Sequence, residues 1–483
     1  MVASLLADAL GLRQGDRRAV YFAALLRSLG CTAHSSTFGE MFDDDLAVQR
    51  ELKTLDLEDP AARTAQAERF AAWAGPERAR ELTDRFATVV LTEGPRLATG
   101  SCEVSATLGA RLGLPACAIA ALDEVYERFD GRGFPAGRGG DGLTIAARVV
   151  HVAEQAVLAH YAGGAPAVAD GVARLAGGHL DPDVCACLRD NVEVVVTALD
   201  APDMLAEAVR LEPRAVITVS PVAMDGVCSA FASFADLKGR FLLGHSRHVA
   251  DLVEKAARIS GYDDSTCATL RASALLLDLG RVAVSSSVWD RADRLGPVEW
   301  ERVRLHPYWT DRILTRCPAL AHLAPVAAAH HERLDGTGYH RAARGSELSA
   351  GARLLAAADS FAAMVEDRPH RPARSRDEAA RELREGVLAG RLDAEAVGAV
   401  VEAAGMARRR TAWPDDLTDR EVEVLRVLAR GLSNREIAES LFLSPRTVQH
   451  HLASVYTKIG RHTRAGAAVF AIEHGLVPAA ADI

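Results

Sequence analysis

Six side chains between positions 245 and 359 are of the types that hold metal ions and move protons: His245, Asp278, His306, the adjacent His330 and His331, and Asp359. Imidazole nitrogens and carboxylate oxygens suit divalent Fe, Mn, Zn or Ni. Singly, each residue is of a kind that more often caps or packs a helix. Together, on helices that bring them to one place, they could hold one or two ions. One ion polarises a phosphoryl oxygen and acidifies a bound water; two ions stabilise both the attacking and the leaving oxygen.

A second set of residues carries a different chemistry. Thr418 with Glu421 three positions on forms a capping box, and the helix it starts runs to Arg430 and stops at Gly431. Ser433 or Asn434 caps REIAESLF. Ser444 and Pro445 open RTVQHHLASVYTKIG, because Ser caps and Pro tolerates a first helical turn. Two short helices joined by a tight turn, the latter presenting Arg, Thr, Gln and His, fit a major groove.

The elements that must position these residues are helical. Segments such as 249–261, 378–390 and 420–431 carry apolar residues at i, i+3, i+4 and i+7, and only 215–222 alternates like a strand. The reading is all-α. A chain of 483 residues has room for about two to four domains. Aromatics make up only 5%, so small aliphatic residues fill the cores. The net charge of −9 excludes a protein that coats nucleic acid along its length, and any DNA contact must be local. Eight scattered cysteines, with no C-x-x-C pair, read as small buried hydrophobes in a reducing compartment. With no basic leader and no run of eighteen apolar residues, the expected location is the cytoplasm, with no membrane partner.

The segment YERFDGRGFP (126–135) matches HERLDGTGYH (331–340) at an offset of 205 residues. The same offset carries through Leu143 and Leu348, Ala147–Arg148 and Ala352–Arg353, and Ala153–Glu154 and Ala358–Asp359. Upstream, AALLRSLG (23–30) echoes SALLLDLG (273–280). Two copies of one helical domain explain this. The expected layout is 1–200 for the first copy, 201–235 for a connecting helix, 236–405 for the second copy, 406–416 for a linker, and 417–483 for the terminal module. The basic run Arg408–Arg410 in that linker either adds non-specific attraction to DNA or is simply solvated.

The ligand order over 236–400, and above all HHERLDGTGY, resembles the HD-GYP family of metal-dependent phosphohydrolases, whose known members cleave cyclic di-GMP. The resemblance implies tandem HD-domain-like bundles. It puts His245, Asp278, His306, His330, His331 and Asp359 at metal-ligand positions, and Asp278 and Arg281 at catalytic ones. Asp335, Gly336, Gly338 and Tyr339 fall on the loop that meets the cyclic dinucleotide or a partner protein.

Three departures stand out. Leu277 replaces the histidine of the paired His-Asp, Arg281 replaces a lysine, and His340 replaces the proline that ends the loop. In the family's two-metal layout the lost ligand belongs to the site of His245, Asp278 and Asp359. The site of Asp278, His306, His330 and His331 is whole. Metal binding is therefore weakened. Arg281 can grip phosphate but gives up no proton. The first copy is more degraded: Arg27–Ser28 replaces the His-Asp pair, Ser101 a histidine, and Val125–Tyr126 the double histidine, so it reads as structural.

Residues 417–459 closely resemble the LuxR-type helix-turn-helix family. By that resemblance Gln449, His450 and Ala453 face bases, while Asn434, Ser444, Arg446, Thr447 and Lys458 hold phosphates of double-stranded DNA. Such modules work as dimers, and the helical part upstream is the expected homodimer element. Two functions lead, ahead of a third reading in which the duplicated region is purely a protein-interaction scaffold. One is a transcriptional regulator whose sensory or vestigial HD-GYP part binds a metal and cyclic di-GMP. The other is an active cyclic di-GMP phosphodiesterase carrying a DNA-binding domain.

Overall fold

The computed structural model describes residues 1–52, 64–65, 68–70, 72, 75–214, 216–407, 413–474 and 476–477. The expected basic run at 408–410 lies outside them. Among the described residues there are helices, turns and isolated bridges but no strand. Residue 215 of the alternating segment lies outside the described residues; the rest is not a strand, since 216–220 have no regular structure and Pro221 opens the helix Pro221–Asp236. Proline at a first helical position loses no bond it could have made. No helix is long and apolar enough to cross a membrane.

The chain divides into two compact units, Met1–Ala230 with 285–287, and Phe231–Val284 with Val288–Ile483. In the first, Gln14–Leu26 packs on Ala116–Leu122 and Ile145–Gly163 around Leu6, Val20, Leu122, Val149 and Leu180. A second core gathers Phe38, Phe42, Phe70, Phe86 and Leu97. In the second unit, His245–Ile259 packs on Asp264–Leu275, Ala350–Val365 and Ala394–Ala403. Four helices, Asp419–Ala429, Asn434–Ser440, Pro445–Ile459 and Arg464–Glu473, close around Val422, Leu425, Ile437, Val448 and Val455. The expected caps are present: Thr418 and Glu421 form a capping box, Ser433 starts the second helix, and the Ser444 hydroxyl accepts from the Thr447 N–H.

The same local devices occur in both units. A Cβ on Gly280 would lie 1.9 Å from the His306 carbonyl oxygen, and one on Gly30 would lie 2.0 Å from that of Ser101. Only glycine permits either approach. Glu127 accepts from the Ala136 N–H at 2.8 Å, and Glu332 accepts from the Arg341 N–H at 3.1 Å. Thr144 caps Ile145–Gly163 as Ser349 caps Ala350–Val365. Arg148 pairs with Asp181 and Arg353 with Asp393, both at 3.1 Å.

The cysteines depart from expectation. Cys102, Cys185, Cys228 and Cys267 are buried, but Cys117 is exposed and Cys31, Cys187 and Cys317 are half-buried. A small side chain on a helix face is tolerated at the surface as well as in a core.

Candidate metal centre and nucleic-acid interface

Helix Asp264–Leu275 ends just before Asp278, and the close pass at Gly280 sets that carboxylate against helix His306–Thr315. The Thr310 hydroxyl locks the pass by donating to the Leu277 carbonyl at 2.8 Å and accepting from the Gly280 N–H at 2.9 Å. All six expected ligands come together. His245, Asp278, His306, His330 and Asp359 are buried, and His331 is nearly so.

The Nδ1–H of His306 donates to the Val303 carbonyl at 2.6 Å, and that of His330 to the Ala327 carbonyl at 2.7 Å. A carbonyl only accepts, so each Nδ1 carries the hydrogen and each Nε2 is left with a lone pair. Those two Nε2 atoms face each other at 3.0 Å. Burial pushes His330 down to about 4 and His331 well below the usual histidine range. Ligand atoms of His306, His330 and His331 all lie within 4.8 Å of one another. Asp278 Oδ1 is 3.4 Å from His306 Nε2 and 3.6 Å from His330 Nε2, and neither Asp278 oxygen accepts an aligned hydrogen bond. Buried imidazole lone pairs converging beside this carboxylate fit a divalent cation.

The neighbouring place is different. His245 Nε2 lies 3.1 Å from Asp359 Oδ1 and 3.7 Å from Asp278 Oδ2, but Leu277 brings no donor atom. His245 Nδ1 lies 2.7 Å from Glu366 Oε2. Burial opposes protonation of His245, yet Asp359 and Glu366 outweigh it and raise its pKa to about 9. The imidazole thus sits between two carboxylates, and Leu277 leaves this place one donor short. Arg281 is buried with its Nε 2.9 Å from Asp278 Oδ1 and its guanidinium over the Trp289 ring, 5.2 Å from the centroid. Burial resists ionisation of Asp278, but the Arg281 guanidinium beside it holds its carboxyl far below the usual range. The first set fits one cation; the second does not fit another.

Glu366 escaped the sequence reading. It lies just past helix Ala350–Val365, takes His245 and His248 at 2.7 Å each, and is met by Arg368 at 3.1 Å. Lying beyond the periodic helix, in EDRPHR, it carries no spacing signal. Tyr339 stacks on His331 with ring centroids 4.2 Å apart, and Arg304 reaches the Tyr339 carbonyl at 3.1 Å. Gly338 allows this, since a Cβ there would meet Glu332. Asp335 turns inward on its own loop, accepting from the Thr337 N–H and hydroxyl beside Gly336 at φ +83°.

On helix Pro445–Ile459, Val448, Leu452, Val455 and Ile459 are buried while Arg446, Gln449, His450 and Ala453 stand exposed. Ser444 and Thr447 sit at its start, their hydroxyls 2.7 Å apart. Two of the expected phosphate ligands are otherwise engaged. Asn434 Oδ1 accepts from Arg464 at 2.8 Å, and Lys458 donates to Glu421 at 2.7 Å and to the Asp416 carbonyl at 2.9 Å. Lys458 lies near the end of the helix beside that buried carboxylate.

Residues 230–396 match the family described as HD domain, and residues 415–471 match Bacterial regulatory proteins, luxR family. This chain carries an HD domain and a LuxR-type domain. The chain is similar to 3'3'-cGAMP-specific phosphodiesterase 3 of Vibrio cholerae, 27% identical over 77% of this chain and 81% of that protein. The HD domain is similar to a cyclic di-GMP phosphodiesterase of Thermotoga maritima, 33% identical over 31% of this chain and 40% of that one. The LuxR-type domain is similar to the transcriptional regulatory protein LnrK of Bacillus subtilis, 41% identical over 13% of this chain and 28% of that protein. A solved cyclic GMP-AMP-specific phosphodiesterase of V. cholerae shares the fold, with a TM-score of 0.55 and 21% identity over 86% of this chain and 92% of that one.

Proposed function

We propose that the chain is a DNA-binding transcriptional regulator whose HD domain holds one divalent cation at Asp278, His306, His330 and His331, receives a cyclic dinucleotide, and thereby sets DNA binding by the LuxR-type domain. The observation that carries this is the exposed row of Arg446, Gln449, His450 and Ala453 on one helix face, fused to a metal centre short of one ligand. Gln449 suits an adenine edge and Arg446 a phosphate. A homodimer in the cytoplasm would present two such helices to two half-sites. The repeated glycine, Glu and cap devices support reading residues 1–200 as a second, altered copy of the HD domain.

The cation, when bound, supplies a Lewis acid for phosphate oxygens. Within the chain, His330 and His331 stay neutral, Tyr339 covers His331, and Arg281 balances the charge of Asp278. Arg281 is no proton donor, so a leaving alkoxide gains no acid from it.

Selection of bound sequences from a random duplex library, repeated with cyclic di-GMP and with 3'3'-cGAMP, tests the proposal. Expected is an enriched motif whose retention changes with one dinucleotide. No enrichment, or enrichment indifferent to Arg446→Ala, overturns it.

The facing lone pairs of His306 and His330 favour a second reading, an active phosphodiesterase. Metal-loaded protein that hydrolyses either dinucleotide, with Asp278→Ala inactive, would establish it.

A further inference from the structure

Trp300 stands on helix Pro297–Arg304 with its indole 44% exposed. A lone exposed apolar side chain is ordinary on a protein surface. This one adjoins the metal centre through a single ring. Its indole meets Tyr339 edge to face, with centroids 5.9 Å apart and planes at 72°. Tyr339 in turn stacks on His331, with centroids 4.2 Å apart and planes at 28°. A row of three aromatic rings thus leads from an expected cation ligand to solvent.

The outer end of the row is held in place. Trp300 and Arg304 are four residues apart and share one face of their helix. The Arg304 guanidinium donates to the Gly338 and Tyr339 carbonyls at 3.4 and 3.1 Å, so that face is turned to the loop and the two rings keep one relative placement. The repeat adds an independent observation. At the offset of 205 residues Trp300 and Arg304 match Pro95 and Thr99, in the copy where Ser101, Val125 and Tyr126 stand for the imidazoles. The indole and its anchoring arginine accompany the metal ligands, not the helical frame.

We infer that Trp300 is the platform on which one purine base of the cyclic dinucleotide stacks while a phosphate lies at the cation. This rests on the reading of the metal centre given above. The sugar of a nucleotide carries its base away from its phosphate, so the base belongs at the rim, beyond the ligands. Every base offers a π-face to an aromatic ring, and one such contact contributes on the order of tenfold to a hundredfold in affinity. Stacking reads a face and not a hydrogen-bonding edge, so the platform supplies affinity without choosing between guanine and adenine.

Isothermal titration of the full-length, manganese-loaded protein tests this with GMP, AMP and ribose 5-phosphate, which share a sugar and a phosphate and differ in the base. Expected is binding of GMP and AMP at least about tenfold tighter than ribose 5-phosphate. Trp300→Leu keeps apolar bulk against Tyr339 but no π-face. It should bring both nucleotides down to the affinity of ribose 5-phosphate, with that affinity and the bound manganese unchanged. Trp300→Phe should keep most of the preference. Equal binding of all three probes by the unaltered protein, or a preference that survives in Trp300→Leu, overturns the platform and leaves phosphate binding at the cation standing. Should no probe bind, the metal centre takes no nucleotide and both readings fall.

Discussion

His306 and His330 turn their Nε2 atoms toward each other at 3.0 Å, each with its Nδ1 hydrogen spent on a backbone carbonyl. Two lone pairs at that distance repel unless a cation or a proton lies between them. Adding Mn or Zn to metal-stripped protein should therefore raise its melting temperature, because a ligand at a hundredfold excess over its Kd stabilises by about 2.7 kcal/mol. His330→Ala should abolish this response. Calorimetry with and without metal checks it, and an unchanged response in His330→Ala rules out the assignment.

Restoring the absent ligand gives a sharper test. Leu277→His places an imidazole next to Asp278, but Arg281 still sits 2.9 Å from that carboxylate and competes with a second cation. Leu277→His alone should leave the metal content near one ion per chain, and Leu277→His with Arg281→Lys should bring it to two. Elemental analysis distinguishes the outcomes. Two ions in the unaltered protein would show that Leu277 costs the site nothing.

Much of this was legible in residue order. The helical periods and the caps at Thr418, Ser433 and Ser444 follow from local spacing, and the six converging side chains were legible through the family resemblance. What escaped depends on interactions between distant segments. Glu366 meets His245 from 121 residues away, and Lys458 meets Glu421 from 37 away. The carboxylate beneath Lys458 is not visible from the periodicity of its own helix. The alternating run at 216–220 lacked a partner edge, and an unpaired strand has no ladder to stabilise it.

The recognition face separates two kinds of basic residue. Arg446→Ala should weaken binding to all sequences alike and lower the salt dependence by about 0.9 for each phosphate it no longer neutralises. Gln449→Ala should relax preference at one base pair, by about 1–3 kcal/mol. Lys458→Ala should leave the salt dependence unchanged while lowering the melting temperature. A titration of DNA affinity against salt for the three variants checks all of this. A reduced slope for Lys458→Ala would return that residue to the phosphate ligands.

Acid should act on the same pair. Burial alone would raise Glu421, but Lys458, Ser454 and Thr418 hold it down, to about 2 against an ordinary 4.5. The folded state binds this proton less readily than the unfolded one, so the stabilisation is complete above about 4.5 and is lost as pH falls toward 2. Glu421→Gln should flatten the stability curve across that window. Chemical denaturation at stepped pH measures it, and an equally steep acid loss in Glu421→Gln would assign the effect elsewhere.

Arg426 links the LuxR-type helices to the HD domain. Its Nη2 donates to the carbonyls of Val387 and Leu388 at 2.9 and 3.0 Å, its Nε donates to the Leu476 carbonyl at 2.8 Å, and its guanidinium lies over the Trp413 ring. Charge-assisted bonds to carbonyls are stronger than neutral ones, and three of them converge on one half-buried side chain, two from the end of helix Arg376–Leu388. Removing it strands those carbonyls, at a cost of about 1–3 kcal/mol. Arg426→Ala should split one calorimetric transition into two, with the DNA-binding helices melting first, and should loosen any dependence of DNA affinity on the dinucleotide. Retention of a single transition together with full dinucleotide dependence would mean that the signal passes by another route.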